Sequence, residues 1–206
     1  MLLKIIPEHL SEHKLQQVVD CLKKGGVIIY PTDTVYAIGC DIMNHKAAER
    51  VKQMKETKRK QMNFSFVCSD LSQLSNYASQ IDTPIYKLMK RALPGPFTFI
   101  LLASKQVPKI FDTKKKTIGI RVPDHAVALA IVEKLGNPIL STSLLDDEHI
   151  GEYLTDAEVI EEKFRKRVDM VVDSGACGNT PSTVIDCTGG EPIVVREGAG
   201  NFNEIN

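Results

Sequence analysis

One-sided helical periods alternate along this chain with short β-branched runs, and that alternation constrains the fold more than any other feature. Leu15, Val18, Val19 and Leu22 make one stripe of a 3.6-residue period between Ser11 and Gly25, and Gly25-Gly26 supplies the stop. Val27-Ile28-Ile29-Tyr30 follows at once, closed by Pro31, and has the pattern of a buried strand entering a loop. Asn44 can cap a second helix with Ala47, Ala48, Val51 and Met54 on one face, and Phe64 to Cys68 is strand-like.

The pattern continues to the C-terminus. Thr83-Pro84 puts a capping residue before a first-turn proline, which predicts a helix through Ile85, Leu88 and Met89 that ends before Pro94. Strands are expected at Phe97 to Ala103, Thr117 to Val122, Pro138 to Leu140, Asp169 to Val172, Thr183 to Asp186 and Ile193 to Arg196. A helix over Ala126 to Leu135 stops at Gly136, and Thr155-x-x-Glu158 has capping-box spacing for another reaching about Arg167. Helices between strands predict an α/β domain, and the strand pairs late in the chain predict a mixed, twisted sheet with helices on its faces. No linker or repeat divides residues 1–206, so one domain is expected.

Composition narrows the function classes. Lys and Arg number 26 against 26 Asp and Glu, so any polyanion contact must be local rather than a bulk-field effect. No apolar run approaches the roughly 20 residues that span a bilayer, and the N-terminus lacks a signal-peptide pattern, so a soluble, cytoplasmic protein without membrane contact is expected. Five cysteines and five histidines show no ligand spacing, and no protein-held metal is predicted.

Four segments could carry chemistry. Tyr30-Pro31-Thr32-Asp33-Thr34-Val35-Tyr36 is a hydroxyl-rich loop between apolar segments, which could bind a small polar ligand or simply form an Asx or Ser/Thr turn. Lys52 to Lys60 has five basic positions in nine, suited to phosphates or to a solvated helix end. Ser141-Thr142-Ser143 follows a buried strand and could cradle phosphate. Ser182-Thr183-Val184-Ile185-Asp186 with Arg196-Glu197-Gly198 suits an anion or a base plane, although an Arg196–Asp186 pair would read the same. No nucleophile triad and no common nucleotide signature occurs. His125, the one histidine beside a plausible site strand, has the position of a helix start.

In this order the segments resemble the YrdC/YciO family of threonylcarbamoyl-AMP synthases and their relatives. Tyr-Pro-Thr-Asp-Thr-Val-Tyr (30–36), the Lys55 region, Pro94-Gly95-Pro96-Phe97-Thr98, Ile120-Arg121-Val122-Pro123, Ser141-Thr142-Ser143 and the Pro181–Asp186 and Arg196–Gly198 stretches carry the likeness. It implies a twisted mixed sheet with a large concave basic cavity. It also implies joining of threonine, bicarbonate and ATP, with Mg2+ brought by the ATP, into threonylcarbamoyl-adenylate and pyrophosphate, ahead of tRNA modification. By the same resemblance Lys55 and Arg121 would be catalytic, and Thr32, Thr34 and Tyr36 would hold the threonine. Lys58, Arg59, Thr98, Ser141, Ser143, Ser182 and Arg196 would meet phosphate or nucleotide.

Two departures stand out within the family: Lys55-Glu56-Thr57 where synthases typically carry Lys-x-Arg, and Leu144-Leu145-Asp146-Asp147 where they typically follow Ser-Thr-Ser with Ala-Asn. The latter, together with Ile118-Gly119-Ile120-Arg121-Val122-Pro123 and Val194-Val195-Arg196-Glu197-Gly198, looks more like the YciO branch. Three readings follow: a synthase or a paralogue adenylating a related carbamate, a module binding double-stranded RNA or tRNA through phosphates, or a nucleotide-binding protein without turnover. The sequence leaves the oligomeric state open.

Overall fold

The structure, a computed structural model, describes residues 1–56, 64–108, 116–144 and 153–206, with the side chains of 55 and 56 outside the description. Among the described residues ten strands form one mixed sheet: β1 (Leu2–Lys4), β2 (Ile28–Tyr30), β3 (Ala37–Asp41), β4 (Ser65–Val67), β5 (Phe97–Leu102), β6 (Thr117–Arg121), β7 (Ile139–Ser143), β8 (Met170–Asp173), β9 (Thr183–Asp186) and β10 (Ile193–Arg196). Their spatial order is β1-β8-β2-β3-β7-β4-β6-β5-β9-β10. Among the described residues six α-helices accompany them: α1 (Glu12–Lys23), α2 (His45–Glu56), α3 (Leu71–Tyr77), α4 (Thr83–Ala92), α5 (Ala126–Leu135) and α6 (Ala157–Phe164).

Strand alternation sorts the side chains onto two faces. On one, Ile29, Ile38, Phe66, Phe99, Ile120 and Ile185 pack against α2, α3, α4 and α6 in a core that runs the width of the sheet. On the other, Ile28, Tyr30, Ala37, Ile139, Met170 and Val172 pack beneath α1 and α5. Those two helices contact each other and cover one side of that face. Beyond them the face carries Ser65 and Gly119 in register with Ser141. Both are half-buried in the middle of a ten-stranded sheet, whereas Phe66 and Ile120, one residue along, are 1% and 0% exposed. Small residues on an uncovered stretch of central sheet leave a cleft.

The connection between β8 and β9 links strands that lie far apart in the sheet. It passes over seven inter-strand spacings, roughly 34 Å in a flat sheet at about 4.8 Å each. Ten Cα steps from Asp173 to Thr183 reach ~36 Å only when fully extended. Gly175 sits in a left-handed turn at φ 98°, so the segment is not extended. The sheet therefore curves, and residues 174–182 form a strap between its two halves.

Several local expectations change. Ser141–Ser143 belong to β7 itself rather than to a loop after it, because β3 pairs with that strand over Ala37 to Asp41 and β4 pairs with its other edge. β1, β3 and α3 are additional elements. The β3 segment is too rich in Gly, Cys and Ala to signal a strand alone, and its two neighbours supply its hydrogen bonds. Asp156, not Thr155, caps α6, accepting from Glu158 N at 2.9 Å and Val159 N at 3.1 Å. Asp82 occupies the cap position of α4 without a side-chain bond, and Thr83 begins the helix.

Candidate functional site

Tyr30 closes β2, and its ring crosses Gly39 on β3 so that its hydroxyl donates to Ser141 Oγ on β7 at 2.8 Å. A Cβ at Gly39 would lie 2.9 Å from that ring and 2.5 Å from Ile139, so only glycine permits the crossing. Burial pushes the Tyr30 phenol far above its ordinary value and keeps it a neutral donor. Ser141 has accepted one bond and retains its own proton.

The Thr32–Thr34 loop can be followed proton by proton. Thr32 Oγ1 donates to Val35 O at 2.7 Å and accepts from Thr34 N at 3.2 Å. Its single proton is thereby used, so Thr34 is the donor in the 3.1 Å contact between the two hydroxyls. Thr34 Oγ1 also accepts from Arg121 Nη1 at 2.9 Å. Thr32 is thus saturated and serves the turn, whereas Thr34 keeps one lone pair and can meet only a ligand that donates.

Arg121 ends β6 and is 7% exposed. Its Nη2 pairs with Asp33. Burial pulls the guanidinium below its ordinary value, with Asp33 opposing that shift and Arg196 adding to it. Among the described residues, Arg121 Nε and Asp33 Oδ2 are the buried side-chain atoms without a partner. Asp33, placed by its composition in an ordinary turn, therefore supplies a second unfilled acceptor beside Thr34. A sequence signal existed in an acidic residue flanked by hydroxyls ahead of a buried strand-end arginine, but their pairing was invisible at a separation of 88 residues.

The other end of the cleft has the opposite polarity. Thr98 Oγ1 on β5 and Ser182 Oγ share one hydrogen bond of 2.8 Å. Two hydroxyls sharing one bond leave one proton free to donate. Arg196 Nη2 donates to Ser182 O at 2.7 Å and approaches Ser182 Oγ at 3.4 Å. The Arg196–Asp186 alternative is not realised, because Asp186 accepts instead from Thr188 N and Oγ1 at 2.9 and 2.7 Å. Ser143 lies half-buried at the end of β7 opposite Ala37.

Tyr36 stands apart from this set, with its hydroxyl donating to Gly175 O on the strap at 2.7 Å. His125 caps α5, as its position suggested, and its Nε2 lies 3.3 Å from Ser174 Oγ. Sequence reasoning did not connect the strap with the site. Lys55 is placed in the last turn of α2, while its side chain, Lys58 and Arg59 lie outside the described residues, as do Leu145, Asp146 and Asp147. Among the described residues no group of three or more His, Cys, Asp and Glu is placed to hold a metal ion, and no helix is long and apolar enough to cross a membrane.

Known proteins are similar to this chain in sequence and fold. The chain is 43% identical over 199 residues to YciO of Escherichia coli K12, covering 96% of this chain and 95% of that protein. It is 31% identical over 180 residues to the threonylcarbamoyl-AMP synthase of Coxiella burnetii (strain RSA 493), covering 86% and 94%. The crystal structure of E. coli YciO superposes with a TM-score of 0.92 at 40% identity, covering 100% and 99% of the two chains. That of P. abyssi Sua5 complexed with L-threonine gives 0.89 at 27% identity, covering all of this chain and 59% of the other. The sequence model described as "Telomere recombination" (Sua5, YciO, YrdC) matches residues 20–198, so this chain belongs to the Sua5/YciO/YrdC family.

Proposed function

We propose that this chain is a cytoplasmic nucleotidyltransferase that converts threonine, bicarbonate and ATP into threonylcarbamoyl-adenylate and pyrophosphate in the service of tRNA modification. One observation carries the reading: Thr34 and Asp33 keep unfilled acceptors, and Ser141, Thr98, Ser182 and Arg196 supply donors and a cation. A substrate with donor groups at one end and phosphate at the other matches that polarity. Kinship with named synthases at about 30% identity supports the same chemistry.

The reaction needs positioning and charge neutralisation more than covalent help. Threonine nitrogen combines with bicarbonate to give a carbamate, with loss of water. A carbamate oxygen then attacks the α-phosphorus, and the bond to pyrophosphate breaks. The hydroxyl and the N–H of the threonine amine, and then of the carbamate, would donate to Thr34 Oγ1 and Asp33 Oδ2. Phosphate oxygens would accept from Ser141, the Thr98–Ser182 pair and Arg196, and from Lys55 as it leaves α2. Magnesium is part of the substrate in this scheme, since it enters bound to the triphosphate and neutralises its charge. Buried Arg121, fixed by Thr34 and Asp33, supplies a preorganised positive potential between the two ends.

The test is incubation with ATP, magnesium, threonine and labelled bicarbonate, following pyrophosphate and labelled adenylate together. Product that requires both threonine and bicarbonate supports the proposal. ATP binding without product under any threonine or bicarbonate concentration overturns it.

A further inference from the structure

The strap is tied to the Thr32–Thr34 loop at successive points. Tyr36 Oη donates to Gly175 O at 2.7 Å. Cys177 Sγ lies 3.5 Å from Thr32 O, and Cys177 N donates to Thr155 O at 3.2 Å, which ties the strap to the segment before α6. Gly178 packs so closely on the loop that a Cβ there would stand 2.8 Å from Thr34 O. His125 Nδ1 accepts from Ala128 N at 3.5 Å, so the ring carries its proton on Nε2 and donates to Ser174 Oγ.

The Cys177 and Gly178 contacts fall on the carbonyls of Thr32 and Thr34, not on their hydroxyls. The Thr34 hydroxyl is left to set Arg121 and keeps its remaining lone pair, while the Thr32 hydroxyl serves the turn. We propose that Tyr36 and His125 are positioning residues. They hold the 174–182 strap down on the Thr32–Thr34 backbone, and the strap in turn fixes where Thr34 Oγ1, Asp33 and Arg121 meet the amino-acid end of the substrate. Tyr36 thus acts through Gly175 rather than by touching threonine. The kinetic part of the proposal rests on the synthase reading above, while the structural part does not.

Three substitutions separate the links. Tyr36→Phe removes the hydroxyl alone. His125→Asn keeps a capping side chain for α5 but cannot reach Ser174. Gly178→Ala pushes strap and loop apart without altering either residue. Hydrogen exchange should show faster exchange of the Thr34 amide, which donates to Thr32 Oγ1, and of the strap amides in all three variants, with the β2 and β8 amides unchanged. The threonine KM should rise about tenfold, the equivalent of one net hydrogen bond, with kcat held within about twofold.

Unchanged exchange at Thr34 in Tyr36→Phe and His125→Asn overturns the proposal whatever the kinetics show. A fall in kcat at unaltered KM does so too, since that marks direct contact with the reacting groups. If Tyr36→Phe loosens the whole molecule, His125→Asn decides. A wild-type chain with no threonine-dependent turnover removes the synthase reading instead, and exchange still judges the strap.

Discussion

Arg121 Nη1 donates to Thr34 Oγ1 at 2.9 Å although 87 residues separate the two in the chain. The bond joins the end of β6 to the loop after β2 across three intervening strands. With the Asp33 pair it makes a buried, charged junction whose remaining polar atoms, Arg121 Nε and Asp33 Oδ2, have no partner. Such a junction is sensitive to loss of either side, because the survivor is stranded away from water.

Arg121→Ala should therefore destabilise the fold by about 3–5 kcal/mol, and Asp33→Ala by a comparable amount. The double variant should lose clearly less than the sum, since removing both charges strands neither. Urea denaturation of the three proteins checks this. Strict additivity would show that the two side chains do not interact.

Filling the uncovered face should block nucleotide without harming the fold. Ser65 points into the cleft and is half-buried, so Ser65→Leu adds apolar volume where no core has to yield. Calorimetry should show ATP affinity reduced at least about tenfold, the scale of one lost charge-assisted contact, with the melting temperature little changed. Retained affinity would place the nucleotide elsewhere.

Gly39 is the counterpart in the packed half. A side chain there would collide with Ile139 at 2.5 Å, Leu140 O at 2.8 Å and the Tyr30 ring at 2.9 Å. Gly39→Ala should cost about 1–3 kcal/mol by overpacking and break the Tyr30–Ser141 hydrogen bond. Denaturant melts give the first quantity, and the ultraviolet shift of a tyrosine moving from burial toward water reports the second.

Acid should loosen the strap through His125. Burial lowers its pKa below the ordinary 6.5, with Asp33 and Asp124 opposing the shift. The unfolded chain therefore takes up the proton first as pH falls. The contribution is complete above about pH 6.5 and is lost as pH falls from there through the folded pKa. His125→Asn should flatten that part of the curve of denaturation midpoint against pH, and an unchanged slope between pH 7 and 5 would assign the sensitivity to other groups.

What the sequence determined by itself is local in origin. The Leu15–Leu22 stripe, the stop at Gly25-Gly26, Gly136 after α5 and the β-branched runs at Val27 to Tyr30 and Asp169 to Val172 rest on side-chain periodicity and backbone preference within a few residues. They suffice for the α/β class and most elements, and the ordered motifs suffice for the family. Tertiary structure decided the rest. The β3 strand and the extension of β7 through Ser143 depend on neighbours that supply their hydrogen bonds. The cleft exists because α1 and α5 stop short of Ser65 and Gly119, which no local pattern encodes. The polarity of the site turns on single protons, shared between Thr32 and Thr34 and between Thr98 and Ser182, and on a salt bridge whose partners are 88 residues apart. Hydroxyls and charges are chemically alike in a turn and in a site. Only the positions of their partners after folding determine which lone pair or proton remains to meet a ligand.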